Sequence, residues 1–389
     1  MTPPAQSPAP VGLVDLRRQR RALEPGLGAA LARVLDHGAF VNGPEVAEFE
    51  SRLAARLGVG HAVGCGSGTD ALHLLLRAAG IGPGDAVIVP ALTFAATAEA
   101  VAVAGATPVF ADVRPADSTL CPDSAARALA ALRAEGGPRP RAVMPVDLFS
   151  LPADTAALAD LCRAEGLRLF HDAAHSVGTD TALGPCGALG DGAATSFYAS
   201  KALGGFGEGG AAMTDDADLA AAMRSLRNHG IEDGGHARIG LNARLDTLQA
   251  AVLLEKLRLF DAETARRREI AARYRAELAG VCDLPEPPPG CAPVWSYFAV
   301  THPRRDALEA HLAERGVGSV AYHARPTHLH PAYRGFPTVP GGLPITERIA
   351  GRLLCLPLHP YLTDDEVARV IEGVRSLPSE GAGARLAAG

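Results

Sequence analysis

The stretch AATSFYASKALGGFGEGG, residues 193–210, joins a β-rich run to a glycine-rich loop through a single lysine, Lys201. The chain has 37 lysines and arginines together, and only Lys201 and Lys256 are lysine. A buried neutral amine can attack a carbonyl carbon and form a Schiff base, whereas a guanidinium stays protonated and cannot. A surface lysine is the ordinary alternative, but it fits poorly between a β-rich run and glycines. The stretch therefore predicts a nucleophilic lysine just after a strand.

Residues 45–215 alternate between β-rich and helical segments, and several of the helical patterns close with glycine. This alternation is typical of a mainly parallel sheet that is covered by helices on both faces. The runs expected to form strands are DAVIVP (85–90), TPVFADV (107–113), RAVMPVDLF (141–149), LRLFHD (167–172) and AATSFY (193–198). In such sheets functional residues gather at the carboxyl ends of the strands. This rule marks Phe94, Asp147, Asp172 and residues 196–201.

The sequence pattern changes after residue 245. Residues 245–280 predict one long helix or two nearly collinear helices, and the proline-rich segment LPEPPPGCAP (284–293) predicts a linker. Short helix-like and strand-like segments then alternate to about residue 378. We therefore expect an N-terminal arm and a large domain over residues 1–260, and a smaller α/β domain with a loose tail over residues 261–389.

Composition excludes several classes of function. A net charge of −6 with 48% hydrophobic residues is typical of a globular enzyme and argues against a surface for nucleic acid or anionic membrane. The opening MTPPAQSPAPVG has no basic or apolar region, so we expect a frayed tail rather than a signal peptide. The apolar run 91–113 contains Glu99, Gly105 and Pro108, and it fits a buried helix between two strands better than a membrane span. Seven scattered cysteines without a C-x-x-C pair indicate thiols in a reducing cytoplasm.

A glycine- and serine-rich turn enters a helix in VGCGSGTDALHLLLRAAG, residues 63–80. The free N–H groups and the dipole at a helix start favour a phosphate. Gly68 permits close approach of the backbone, and Thr69 adds a hydroxyl. A simple turn with an N-cap explains the same residues, and the stretch lacks both the Walker pattern and the full G-x-G-x-x-G spacing.

The stretch LRLFHDAAHSVG, residues 167–178, places Asp172 at the end of a strand. This carboxylate could cap a helix, join a structural ion pair or hold a protonated ring nitrogen, because a buried charge needs a partner. A metal site formed by His171, Asp172 and His175 is disfavoured, since neighbouring strand residues point to opposite faces. A phosphate cradle, an acidic partner for a pyridinium and a Schiff-base lysine together match what pyridoxal phosphate requires.

Eight stretches between residues 11 and 378 resemble, in the same order, the sugar aminotransferases of the DegT/StrS type. They include SGTDAL, DAAHSVG, TSFYASKALGGFGEGGAAMT, GLNARLDTLQAAVL and LPLHPYLTDDE. The resemblance implies fold type I of the pyridoxal-phosphate-dependent transferases, the aspartate aminotransferase fold. That fold has a large domain with a mainly parallel seven-stranded sheet and a smaller C-terminal α/β domain.

The resemblance also implies roles for individual residues. Lys201 would form the Schiff base and then shuttle the proton, Asp172 would pair with the pyridine nitrogen, and His175 would contact the ring hydroxyl. The remaining cofactor contacts implied are Phe94 on the ring face and Gly68, Thr69, Ser196 and, from the neighbouring subunit, Asn242 at the phosphate. The last assignment implies a homodimer with shared sites.

The activity implied by the resemblance is transfer of the amino group of L-glutamate to a keto-sugar on a nucleotide diphosphate. A 3-keto sugar of UDP or dTDP fits the sequence best, and a keto-inositol of an aminocyclitol pathway is the alternative. A sugar dehydratase of the family would carry His in place of Lys201, and a regulatory homologue would not need the Lys201, Asp172 and Ser196 set. The candidates for contacts to the diphosphate are Arg227, His229, Arg244, His323, Arg325 and His328.

Two stretches depart from the family pattern. The loop YHARPTHLHPAY, residues 322–333, begins with Tyr-His where the family usually reads His-Tyr. His171 stands where the family usually has Glu. The first departure leaves the substrate contacts open.

Overall fold

A seven-stranded sheet lies at the centre of residues 9–378, the part of the chain that the computed structural model describes. Of the predicted tails, residues 1–8 and 379–389 lie outside the described residues. The predicted fraying of residues 1–12 is wrong at Val11, which is buried and hydrogen-bonds through its backbone to Gly316 and Gly318. In chain order the strands are β1 (His61–Cys65), β2 (Asp85–Pro90), β3 (Thr107–Ala111), β4 (Arg139–Val143), β5 (Arg168–Asp172), β6 (Asp180–Thr181), β7 (Gly184–Pro185), β8 (Gly192–Ser196), β9 (Gly210–Thr214), β10 (Ile231–Glu232), β11 (Gly235–His236), β12 (Phe298–Thr301) and β13 (Leu353–Leu356).

The helices alternate with these strands through most of the chain. They are α1 (Leu16–Ala22), α2 (Gly26–His37), α3 (Pro44–Leu57), α4 (Gly68–Ala78), α5 (Ala95–Val103), α6 (Pro122–Glu135), α7 (Thr155–Glu165), α8 (Ala217–Leu226), α9 (Thr247–Glu277), α10 (Arg305–Glu314), α11 (Pro344–Ala350) and α12 (Asp364–Arg375). Gly136 and Gly166 end α6 and α7 with φ of 64° and 65°, a left-handed conformation that favours glycine. α7 therefore ends at the glycine with which its helical pattern was expected to close.

The central sheet has the strand order β1-β9-β8-β5-β4-β2-β3. The neighbours from β8 to β3 pair in parallel, and β9 runs antiparallel to both β1 and β8. This confirms the predicted mainly parallel seven-stranded sheet. The run 85–90 forms β2 as predicted, whereas β1 and β9 were not predicted as strands. The apolar run 91–113 contains α5 between β2 and β3, also as predicted.

Helices cover both faces of the sheet. Successive strand residues point to opposite faces, so Val63 and Cys65 of β1 join the apolar cluster that contains α4, while Ala62 packs with Phe49 and Leu53 of α3. The sheet is thus buried between two helical layers, and its polar functional groups can reach solvent only at the strand ends.

Helix α9 is one continuous helix of 31 residues. Phe260 packs in the cluster beneath the central sheet, whereas Ile270 and Tyr274 pack with β12 and β13, which pair antiparallel. The predicted domain boundary at residues 260 and 261 therefore falls inside this helix, between the two clusters, and it stays a prediction.

The N-terminal segment packs on the C-terminal part of the chain. Val11 forms a parallel bridge with Val317, and the Arg18 guanidinium lies 2.7 Å from the Glu366 carboxylate at the start of α12. Within residues 9–378, no helix combines the length and the apolar character needed to cross a membrane.

Candidate active site

A cavity of about 340 Å³ opens where β5 and β8 end and α4 begins. The lining contains Lys201 and Asp172, the two predicted catalytic residues. It also contains six further residues predicted from the sequence, which are Gly68, Thr69, Phe94, His175, Ser196 and His323. The structure thus brings together residues up to 255 positions apart in the sequence, from Gly68 to His323.

The first turn of α4 forms one wall of the cavity. Ser67 caps the helix, and its Oγ accepts the Asp70 N–H at 3.0 Å. The N–H groups of Gly68 and Thr69, the first two helical residues, have no acceptor within the helix. A Cβ atom at Gly68 would lie 2.7 Å from the Cβ of Ser196, so only glycine lets α4 approach β8 this closely. These residues fit a phosphate group.

Asp172 lies at the end of β5 and is buried. Its Oδ2 accepts the Thr97 hydroxyl at 2.8 Å, and its Oδ1 accepts the Ala174 N–H at 3.1 Å. Burial raises the pKa of this carboxyl, and the two hydrogen bonds and the charge of Lys201 partly offset that effect. A buried carboxylate that faces a cavity favours a cationic partner, so Asp172 fits a protonated ring nitrogen.

Lys201 follows β8 in a turn closed by its N–H, which donates to the Tyr198 carbonyl at 2.8 Å. Burial lowers the pKa of its amine to about 8, and the negative charge of Asp172 opposes this shift. The Nζ atom lies 5.6 Å from the centre of the Tyr297 ring. A lysine with this lowered pKa carries a substantial neutral fraction near neutral pH, which is what attack on a carbonyl requires.

Two histidines face Lys201 across the cavity. Burial lowers the pKa of His175 well below its usual value, and the nearby charges of Lys201 and His323 add to the effect. Burial and the charge of Lys201 lower the pKa of His323 to about 4. Both imidazoles are therefore neutral at pH 7 and offer hydrogen bonds rather than positive charge.

Two of the predicted diphosphate contacts are engaged outside the cavity. The Arg227 guanidinium donates to the Glu50 carboxylate and to the Gly64 carbonyl. The Arg244 Nη1 donates to Asn228 Oδ1 at 2.8 Å. Neither arginine belongs to the cavity lining.

Four more predicted residues also lie outside the cavity lining. His328 Nε2 lies 3.3 Å from the Glu347 carboxylate. His229 sits in a turn with φ of 59°, and Arg325 and Asn242 are exposed. The sequence predicted Asn242 as a contact to the neighbouring subunit, so its place on the surface leaves that role a prediction.

Sequence reasoning missed two residues of the site. Thr97 holds Asp172 from α5. A hydroxyl in a run predicted to form a buried helix was a usable signal, because a buried polar group needs a hydrogen-bond partner. Tyr297 flanks Lys201 from a loop that precedes β12. Nothing in the local sequence around Tyr297 could have placed it there.

Comparison with known proteins identifies the family. The model of the DegT/DnrJ/EryC1/StrS aminotransferase family matches residues 25–375. The chain belongs to this family. It is 42% identical over 378 residues to the dTDP-3-amino-3,4,6-trideoxy-alpha-D-glucose transaminase of Streptomyces venezuelae, a match that covers 96% of this chain and 98% of the relative. It is 37% identical over 354 residues to the UDP-2-acetamido-2-deoxy-3-oxo-D-glucuronate aminotransferase of Pseudomonas aeruginosa, with 90% and 96% covered.

A solved structure gives the same result. The crystal structure of a DegT DnrJ EryC1 StrS aminotransferase from Brucella abortus matches this chain with a TM-score of 0.92 at 45% identity, covering 93% of this chain and 98% of that one. The family membership confirms the predicted fold class, the enzyme class of aminotransferase and pyridoxal phosphate as the cofactor.

Proposed function

We propose that this DegT/DnrJ/EryC1/StrS family member transfers the amino group of L-glutamate to a keto-sugar linked to UDP or dTDP, in the biosynthesis of an amino sugar. The observation that carries the proposal is the cavity in which Lys201, Asp172 and the first turn of α4 meet. The cavity offers a nucleophilic amine, a buried carboxylate and an anion cradle to one ligand.

The residues around the cavity divide the chemistry between them. When bound, pyridoxal phosphate supplies a carbonyl for amines and a protonated pyridine ring that withdraws electrons. The first turn of α4 and Ser196 would hold the phosphate, and Asp172 would keep the ring nitrogen protonated. Lys201 Nζ removes the proton from Cα of the amino donor and returns a proton to the acceptor carbon, which its lowered pKa suits.

The nucleotide-linked substrate class is supported by the relatives. The Streptomyces venezuelae transaminase is named for a dTDP-sugar and the Pseudomonas aeruginosa aminotransferase for a UDP-linked 3-oxo sugar. The first name places an amino group at C3 and the second places a keto group at C3, which supports a 3-keto sugar as the acceptor here.

The test runs the reaction backwards. The purified protein in its pyridoxal form is mixed with a panel of amino-sugar nucleotides of UDP and dTDP and with a free aminocyclitol, followed by 2-oxoglutarate. We expect a 3-amino sugar nucleotide to convert the cofactor fastest and to yield L-glutamate. If only the aminocyclitol is converted, the acceptor is a keto-inositol and not a nucleotide-linked keto-sugar. If no amine is converted, the aminotransferase proposal is overturned.

Two lysine variants provide the matched comparison. Lys201→Arg keeps a positive charge and loses the nucleophilic amine, so we expect the visible absorption of the bound cofactor to disappear and turnover to fall by about 10²–10⁴-fold or more. Lys256→Arg makes the same substitution at the other lysine of the chain. We expect the folded Lys256→Arg protein to keep the visible absorption.

We also infer a homodimer with shared sites in the cytoplasm. The exposed position of Asn242 supports its contact with a phosphate on the partner, and the seven free cysteines support a reducing compartment. Mixing inactive Lys201→Ala chains with inactive Asn242→Ala chains should restore activity, because one of the two sites in a mixed dimer then has both groups intact. Absence of recovery in demonstrably mixed dimers would assign Asn242 to its own subunit or to no site.

A further inference from the structure

Asp147 lies beside Asp172, the last residue of β5, and bonds to Ser176 of the loop that carries His175. It is fully buried, and its N–H donates to the Asp172 carbonyl at 3.0 Å. Val146 forms a parallel bridge with Asp172, so the backbone at residues 146–147 extends the pairing between β4 and β5. Asp147 does not line the cavity, and the proposed chemistry gives it no role.

Three donors hold the Asp147 carboxyl group. Its Oδ1 accepts the Ala153 N–H at 3.0 Å and the Nδ1–H of His171 at 3.2 Å. Its Oδ2 accepts the Ser176 hydroxyl at 3.1 Å. His171 is also fully buried and leaves β5 on the face opposite to Asp172. The carboxyl group is therefore fixed from three directions.

The bond from Asp147 to Ala153 closes a turn with unusual backbone geometry. Within it, Phe149 and Ser150 have φ of 53° and 73°. Two consecutive residues other than glycine rarely adopt this left-handed region, and they persist in it only where surrounding contacts hold them. The Ser150 hydroxyl donates to the His175 carbonyl at 2.7 Å, which ties the turn to the loop of the candidate active site.

The turn presents a backbone donor to His175. The Phe149 N–H donates to His175 Nδ1 at 3.3 Å, and the two rings stack with centroids 5.9 Å apart. A neutral imidazole accepts only at the nitrogen that carries no hydrogen. The proton of His175 therefore lies on Nε2, the ring nitrogen that remains available to a ligand in the cavity.

We propose that Asp147 is a positioning residue that fixes His175 as the Nε2–H tautomer by closing the turn at residues 147–153. A donor at Nε2 suits the ring-hydroxyl oxygen of the cofactor, and this part of the inference rests on the proposed function. The tautomer itself is a property of the protein alone. A different tautomer of His175 would therefore overturn this inference and leave the aminotransferase proposal intact. Conversely, the tautomer can be as proposed even if the aminotransferase proposal is wrong.

The test reads the tautomer by ¹⁵N NMR of histidine-labelled full-length protein, with the cofactor removed and then restored. His175→Gln identifies the His175 signals by their loss. We expect a single Nε2–H signal in the parent protein and a mixture of tautomers, or the Nδ1–H form, in Asp147→Ala. Asp147→Asn keeps an oxygen that accepts the Ala153 N–H, so it should keep the parent signal.

Leu312→Ala is the control for a loss of stability alone, because Leu312 is fully buried in α10, in the apolar cluster around β12 and β13. We expect it to keep the single tautomer, and we expect the cofactor dissociation constant to rise about tenfold in Asp147→Ala relative to Leu312→Ala. A folded Asp147→Ala protein with an unchanged His175 tautomer overturns the proposal, as does a mixture in Leu312→Ala. Should Asp147→Ala not fold, Asp147→Leu replaces it, because Leu has a similar shape but accepts no hydrogen bond; an unchanged single tautomer in that variant also overturns the proposal.

Discussion

In cofactor-free protein, we expect the Lys201 amine to react with acetic anhydride with a pH midpoint near 8. Burial lowers its pKa from 10.5 to about 8, and the negative charge of Asp172 opposes this shift. At pH 7 a pKa of 8 leaves about 10% of the amine neutral, against about 0.03% for an ordinary lysine, so reactivity should be about 300-fold higher. Asp172→Asn removes the opposing charge and leaves burial in place. The midpoint in this variant should therefore move below that of the parent protein.

The assay follows acetylation of the Lys201 peptide by mass spectrometry across pH 6–11. Lys256 is the internal reference, because burial also lowers its pKa to about 8 but its side chain is fully buried. Lys256 should therefore be acetylated only as fast as local unfolding of the chain exposes it. Glu208→Gln is the matched control for Asp172→Asn, since Glu208 lines the same cavity without being among the charges that shift Lys201. A parent midpoint near 10.5, or an upward shift in Asp172→Asn, would refute the reasoning.

Three other variants test separate contacts. Thr97→Val removes the 2.8 Å hydrogen bond that Thr97 donates to Asp172 and that lowers the pKa of the Asp172 carboxyl. The cofactor dissociation constant should therefore rise about tenfold or more. An unchanged constant in equilibrium dialysis would contradict this role of Thr97. Arg18 lowers the pKa of Glu366 from 4.5 to about 2, so its stabilisation is present above pH 4.5 and lost as pH falls toward 2. Arg18→Ala should cost about 1 kcal/mol in urea unfolding at pH 7 and clearly less at pH 2, where the carboxyl is half protonated and the lost bond to the Tyr361 carbonyl remains part of the cost. An equal loss at both pH values would exclude the ion pair as the cause. Because the pKa of Lys256 is about 8 in the folded chain and 10.5 when unfolded, the unfolded state binds the extra proton between these values and stability rises with pH. Lys256→Met should remove about 2 kcal/mol of the rise between pH 7 and 9.5, measured against the parent protein; identical pH profiles would contradict the assignment.

Most of the parallel part of the fold could be predicted from the sequence, because β2, β3, β4 and β5 each follow a helix and the sequence alternates accordingly. β2 matches its predicted run residue for residue, and Gly166 ends α7 as expected. β1 and β9 escaped prediction since they are short and rich in small residues. They become strands by pairing antiparallel with each other over five residue pairs whose members, from Cys65 with Gly210 to His61 with Thr214, are 145 to 153 positions apart in the chain. No local pattern records such a pairing.

In the candidate site, too, the local sequence identified some residues, whereas contacts between distant parts of the chain could not be predicted. Asp172 and Lys201 could be found because each follows a strand and has a side chain suited to the chemistry. Arg227 was a reasonable candidate for a phosphate contact, but Glu50 engages it across 177 positions of sequence. Asp147 was marked by the same rule as Asp172, yet its carboxyl group lies behind the cavity and bonds to the neighbouring turn. A strand end predicts that a residue is near the site, and only the packing decides on which side.

A comparison of Lys201 with Lys256 shows what a lowered pKa leaves undecided. Burial lowers the pKa of both amines to about 8, so a lowered pKa does not by itself make a lysine catalytic. Lys256 lies inside α9 near Glu263 and Arg267, and among the described residues its Nζ has no hydrogen-bond partner. Lys201 has the same ease of losing a proton, but it faces a cavity that holds Asp172 and the free N–H groups of a helix start. Nucleophilic attack needs space for a carbonyl carbon beside the amine and groups that fix the rest of the molecule. Of the two lysines, Lys201 alone lines such a cavity, and its function follows from those surroundings rather than from its own ionisation.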